Sequence, residues 1–212
     1  VDLCAGSQLL AGILINNPGM IDDLLDSLVL NRPRAIEELR TELAELLRGA
    51  TDSEPILHSF QDKELLRIGV GDLLGKSDIH ETTAALSDLA EVILSQVAAM
   101  ETRDRPPARF VILGLGKLGA REMSYHSDLD LVLIRDDSPS DDDPYFIDLS
   151  HRIIRVLSQP GTLGRLYKVD LRLRPTGGAG QLVTTLPEFE RYFASGSARL
   201  WERQALTRTR VV

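Results

Sequence analysis

The stretch Phe110-Val111-Ile112-Leu113-Gly114-Leu115-Gly116-Lys117-Leu118-Gly119, followed after a short spacer by Ser127-Asp128-Leu129-Asp130-Leu131-Val132-Leu133-Ile134, decides how the chain reads. Phe110 to Leu113 is a short apolar run that ends in glycines, the pattern of a buried strand. Leu129 to Ile134 is a second such run, apolar on both faces. Between them, Gly114, Gly116 and Gly119 let backbone N–H groups approach an anion, and Lys117 adds a point charge. Taken alone, Gly-x-Gly-x-x-Gly is weak evidence, since a plain turn or a dinucleotide-binding turn also explains it. The dinucleotide reading expects one acidic residue about 20 positions on, at the end of a second strand. Here two aspartates come sooner and open that strand.

Asp128 and Asp130 stand at i and i+2, so the reading places both carboxylates on one face. Two carboxylates this close raise one another's proton affinity and are costly unless a cation bridges them. Hard oxygen ligands suit Mg2+, which takes one or two carboxylates together with substrate phosphates. A solvated Asp-x-Asp is the plainer alternative, but the apolar strand that follows weighs against it. Val169-Asp170-Leu171-Arg172-Leu173-Arg174-Pro175 adds a third carboxylate, with charged and apolar residues alternating as in a strand over Leu166–Leu173. By itself this could be an ion-pair ladder. Beside the aspartate pair, Asp170 completes a two-metal site and Arg172 and Arg174 neutralise phosphate.

The rest of the chain builds outward from this unit. Of 212 residues, 43% are apolar and 26% charged, which suffices for a sizeable core. Upstream, Leu9, Leu10, Ile13 and Leu14 recur at helical spacing until Asn17-Pro18-Gly19. Ile21 to Leu30 is a second amphipathic stretch. Pro33 suits a first helical turn, followed by a stripe of Ile36, Leu39, Leu43, Leu46 and Leu47. A polar break at Thr51–Pro55 precedes a helix from about Gln61 to Leu74, with Gly75 just past its end. Ser77-Asp78 caps a long helix carrying Leu86, Leu89, Ile93, Val97 and Met100. Downstream, residues 144–158, 187–193 and 200–209 read as helices. The chain therefore divides into a helical segment, residues 1–105, and an α/β unit, residues 106–212.

Net charge is −8 and the pI is near 5.0, which disfavours a long nucleic acid as partner and suits a small anion carried with Mg2+. No run of 18 apolar residues exists to span a bilayer. Val1-Asp2-Leu3-Cys4 lacks both an initiator Met and a basic leader, which points to a piece of a longer protein with no signal peptide. Cys4 alone allows neither an internal disulfide nor a cysteine zinc site and fits the cytoplasm. His58, His80 and His151 read as surface or core residues. The acidic run Asp136–Pro144 reads as a solvated connector. Trp201 with Arg199, Arg203, Arg208 and Arg210 reads as the packing and solvation of a terminal helix.

Leu115-Gly116-Lys117, ten residues, then Asp128-Leu129-Asp130-Leu131 resembles the signature of the DNA polymerase beta-type nucleotidyltransferase superfamily, whose members usually have Gly or Ser where Lys117 stands. The longer string Gly114 to Asp130, with Glu122-Met123-Ser124-Tyr125, resembles the glutamine synthetase adenylyltransferase family. So do Val169 to Pro175 and Trp201-Glu202-Arg203-Gln204-Ala205-Leu206. His126 departs from that family, which usually carries a second Ser there. The resemblance implies an α+β fold, in which a helical bundle precedes a catalytic domain with a small mixed sheet. It implies transfer of AMP from ATP to a tyrosine of glutamine synthetase. Asp128, Asp130 and Asp170 would be the catalytic carboxylates holding two Mg2+ ions, with Asp170 a possible base. Gly114, Gly116, Lys117, Ser127, Arg172 and Arg174 would bind the nucleotide. The partners implied are glutamine synthetase and, through a longer enzyme, the PII signal protein. Family members carry two such halves, one attaching AMP and one removing it by phosphorolysis. Thr176-Gly177-Gly178-Ala179-Gly180-Gln181-Leu182-Val183-Thr184 and Gln204-Ala205-Leu206 look more like the attaching half. Two other readings remain: a nucleotide-binding regulatory module without turnover, and a nucleotidyltransferase acting on RNA.

Overall fold

A computed structural model describes residues 6–22, 34–104, 109–137 and 143–212, and its architecture is α+β. Among the described residues, four helices come first: α1 (Gln8–Asn16), α2 (Ile36–Leu46), α3 (Glu54–Leu73) and α4 (Ile79–Glu101). The remaining elements are β1 (Phe110–Gly114), α5 (Gly116–Ala120), β2 (Leu129–Arg135), α6 (Asp143–Ser158), β3 (Val169–Asp170), a 3-10 turn at Gly177–Ala179, β4 (Val183–Thr185), α7 (Leu186–Ala194), α8 (Leu200–Leu206) and β5 (Arg210–Val211). By contacts the chain forms two compact units, one of residues 1–93 with Glu122–Tyr125, the other of Leu94–Arg121 with His126–Val212.

In the first unit, Leu10 and Ile13 of α1 pack on Leu66 and Val70 of α3. Leu39 and Leu43 of α2 are buried, whereas Leu46, which the stripe reading included, is 48% exposed. Helix α3 begins seven residues earlier than the sequence reading had it. Pro55 lies in its first turn, where a missing N–H costs nothing, so a residue read as a breaker opens the helix. The carboxylate of Glu64, with no exposed surface, meets Arg34 at 2.7 Å and Arg67 at 2.8 Å. Such a charge is tolerated only because both oxygens are matched.

Asp78 caps α4 as expected. Its Oδ1 accepts from the Glu81 N–H, and Glu81 Oε2 accepts from the Asp78 N–H. This helix is long and apolar enough to cross a bilayer, but half of its most apolar window is buried in the protein. Leu89, Val92, Ile93, Leu94 and Val97 are fully buried, as befits a core helix. Met123, also buried, donates its N–H to the Ser87 hydroxyl, and the Tyr125 hydroxyl donates to Asp72 at 3.0 Å. The stretch Ile21–Leu30, from residue 23 on, and Pro33 fall outside the described residues, as does most of the connector read over Asp136–Pro144.

In the second unit β2 is central. Leu129, Leu131, Val132, Leu133 and Ile134 are all buried, matching its two-sided apolar pattern. One edge takes β1 antiparallel, from Phe110 against Arg135 to Gly114 against Leu131. The other edge takes two short parallel strands, β3 at its start and β4 at its end. Parallel pairing needs a crossover, and α6 supplies it between β2 and β3. The third strand is much shorter than the Leu166–Leu173 expectation. After Asp170 the chain turns, because the Asp170 carboxylate accepts the Arg172 backbone N–H at 2.8 Å and Arg174 N–H bonds Leu171 O. The last helix likewise stops at Leu206, and Arg210–Val211 adds to the free edge of β1.

The contrast within α2 gives a stability test. Leu43→Ala should lower unfolding free energy by about 2–5 kcal/mol, whereas Leu46→Ala should stay within about 0.5 kcal/mol, as read by urea denaturation.

Candidate active site

The glycine turn is shaped by what crowds it. Gly116 has φ +55, and a Cβ there would collide with the Asp130 carboxylate. Gly119 is enclosed by the carbonyls of Arg208 and Gly114, again leaving no room for a side chain. The Leu115 N–H bonds Asp130 O at 2.9 Å, tying the turn to β2. On its other side the Arg210 guanidinium donates to Leu118 O at 3.3 and 3.4 Å. The chain's last strand thus helps to hold a turn some ninety residues earlier. Lys117 is exposed.

The carboxylates follow from strand pairing. Asp130 and Asp170 are direct partners in the parallel β2–β3 register. Asp128 lies one residue before β2 rather than within it, since the strand begins at Leu129. Lys168, which sequence reasoning passed over, holds the Asp128 carboxylate at 2.6 Å. Arg172 grips Asp170 with Nε at 2.8 Å and Nη2 at 2.5 Å. These contacts set unlike proton affinities. Burial, then the charges of Asp170 and Asp128, push Asp130 above the ordinary carboxylate range. The Arg172 hydrogen bonds hold Asp170 below it.

Arg174 goes elsewhere: its guanidinium donates to the carbonyls of Leu171, Gly178 and Gly180, bracing the loop after β3. Ser127 is half-buried beside Asp128. His58 is buried in α3, and His80 and His151 are exposed.

Among the described residues, no group of three or more His, Cys, Asp or Glu side chains is arranged to hold a metal ion. Asp128 is turned to Lys168 and Asp170 to Arg172, so cationic side chains stand where a metal's charge would act. The donor set nonetheless suits Mg2+: hard carboxylate oxygens from Asp130 and Asp170, paired across two strands, and from Asp128 just before β2.

A cleft of about 1020 Å³ opens from this point. Asp130, Asp170 and Arg172 line it, with Thr176, Gly177 and Gly178 from the following loop. Tyr192, Arg199, Trp201 and Glu202 line it too. Thr176 is at φ +60, strained for a β-branched residue, as backbone at functional sites often is. Glu202 is buried, and its carboxylate accepts the Tyr192 hydroxyl at 3.0 Å and the Arg199 N–H at 2.6 Å. Trp201, read from the sequence as packing, is 49% exposed. Its occurrence within Trp201-Glu202-Arg203-Gln204-Ala205-Leu206 was the available signal.

A strand, a glycine turn and paired aspartates beside a cleft are the arrangement that the sequence reading expects of a nucleotidyltransferase. The chain belongs to the glutamate-ammonia ligase adenylyltransferase family, whose family model matches residues 1–212. It is similar to the bifunctional glutamine synthetase adenylyltransferase/adenylyl-removing enzyme of Thioalkalivibrio sulfidiphilus (strain HL-EbGR7), at 35% identity over 234 aligned residues. That alignment covers all of this chain and 24% of the relative, so the chain spans about a quarter of its length.

The two aspartates should respond oppositely to pH. Asp130 holds its proton more tightly folded than unfolded, so it favours folding at low pH and this contribution is lost as pH rises through its folded value. Asp170, with its folded value depressed, favours folding at neutral pH and loses that contribution as pH falls. In EDTA, Asp130→Asn should therefore raise the melting temperature at pH 7, and Asp170→Asn should lower it. Both differences should shrink toward pH 3 in thermal unfolding followed by circular dichroism.

Proposed function

We propose that this chain is the nucleotidyltransferase core that moves AMP from ATP to a tyrosine of glutamine synthetase, releasing pyrophosphate. The observation that favours it most is the register of Asp130 against Asp170, beside a glycine turn that only glycine can make. In this reading Asp128, Asp130 and Asp170 hold two Mg2+ ions. Bound there, the metal would neutralise triphosphate charge and acidify the attacking phenol. Metal bound to these carboxylates would replace the charge that Lys168 and Arg172 now supply, and the Arg172 side chain, 81% exposed, would then be available to the phosphates. Gly114, Gly116, Lys117 and Ser127 flank the triphosphate. In this reading Asp170 is a metal ligand and also the base that would take the phenolic proton. Arg174 keeps the loop after β3 in shape. The setting is the cytoplasm, and PII signal protein would act through the longer enzyme.

The second reading is the removing half, with inorganic phosphate as acceptor and ADP as product. The relative's name includes both activities. Gly177 and Gly178 favour the attaching half, because they line the cleft without side chains and leave space for a protein tyrosine.

Incubation with α-labelled ATP, Mg2+ and unmodified glutamine synthetase should label the acceptor and release pyrophosphate. AMP-modified glutamine synthetase with phosphate should yield little ADP; the reverse pattern assigns the removing activity. ATP should raise the melting temperature far more with Mg2+ than with EDTA, and Asp128→Asn should abolish that difference.

A further inference from the structure

Trp201 has a role that packing does not explain. Helix α8 is seated by Ala205 and Leu206, which pack against the cluster of Leu115, Val132 and Ile134. It is fixed again by the buried Glu202, which binds the Tyr192 hydroxyl and the Arg199 N–H. Trp201 contributes to neither anchor and leaves half of its surface exposed in the cleft. An indole held on a rigid wall but left uncovered is a stacking surface awaiting a flat partner.

Asp130, Asp170 and Arg172 line the same cleft. A ligand that places phosphates there has a cleft of about 1020 Å³, with Trp201 on its lining, into which to extend a bulky group. Glu202 has both oxygens engaged, so the wall beside Trp201 presents no free acid to repel an electron-rich ring. Tyr192, tied to Glu202, is not free to reorient. Gly177 and Gly178 line the cleft without adding side chains to it.

We infer that Trp201 is the nucleobase platform of the cleft: the adenine of ATP stacks on its exposed indole face while the triphosphate lies against Asp130, Asp170 and Arg172. This rests on the nucleotidyltransferase reading above and adds the residue that binds the nucleoside end.

The chain contains one tryptophan, so its intrinsic fluorescence reports on Trp201 alone. The whole chain is titrated in Mg2+ with ATP and, separately, with inorganic tripolyphosphate, which lacks a base. ATP should quench or shift the emission. Tripolyphosphate should bind, as read by a rise in melting temperature, without that change. By calorimetry Trp201→Leu should weaken ATP binding about tenfold or more while leaving tripolyphosphate affinity unaltered, and Trp201→Phe should retain most ATP affinity. Equal losses for both ligands, no loss for ATP in either variant, or an emission change with glutamine synthetase but not with ATP would overturn the inference. Failure of both ATP and tripolyphosphate to bind the parent chain would instead remove the phosphate site on which it rests.

Discussion

The parallel pairing of β2 with β3 sets Asp130 directly opposite Asp170, and much else in the second unit serves or follows from that placement. Two carboxylates on neighbouring strands repel, the more so where one is half-buried. The structure answers unequally. Asp170 is bound by Arg172 through both backbone and side chain, and Asp128 by Lys168. Asp130, deepest and between them, bears the remaining cost as a raised proton affinity. The pairing itself is only two residues long, so it depends on its surroundings: β1 along the opposite edge, α6 as crossover, and β4 further down the same edge. The turn after Asp170 belongs to the same solution. A longer β3 would put Arg172 in the pleat, whereas the turn folds its guanidinium back onto the carboxylate.

What could be read from the sequence tracks how local the determining physics is. β1 and β2 were legible because a strand buried on both faces is a continuous apolar run, and the cap of α4 because Asp78 and Glu81 satisfy one another three residues apart. The aspartates and the glycine turn were legible as a motif, and the structure places Gly116 against Asp130. The start of α3 was missed because Pro55 has opposite meanings in the first turn and in the interior of a helix. β4 and β5 are two or three residues long, too short for any period, and exist because an edge of β2 or β1 was open to them. Lys168 escaped for the same reason: it acts through Asp128, forty residues away, and nothing in its neighbours marks it.

The site is consequently built from remote pieces. Gly116 comes from the turn after β1, Asp170 from the strand after the crossover, Arg210 from the chain's last strand, and the cleft wall from α7 and α8. Leu115, buried completely, packs with Val132, Ile134, Ala205 and Leu206, so one apolar cluster supports the glycine turn, the aspartate strand and the helix of Trp201 together. Catalytic geometry held to a fraction of an ångström needs such shared support.

That arrangement also ties Asp130 to the stability of the fold that holds it. A carboxylate with a raised proton affinity costs the fold stability when it ionises, and the sheet tolerates it because its pairing and its core supply the difference. A cation placed among Asp128, Asp130 and Asp170 would remove that cost and free Lys168 and Arg172 together. Ligand and fold are then linked through one carboxylate: whatever binds there strengthens the register that created the site. Lys168 and Arg172 keep the register intact until it does, one on each flanking aspartate, leaving Asp130 as the group most relieved by an incoming ion.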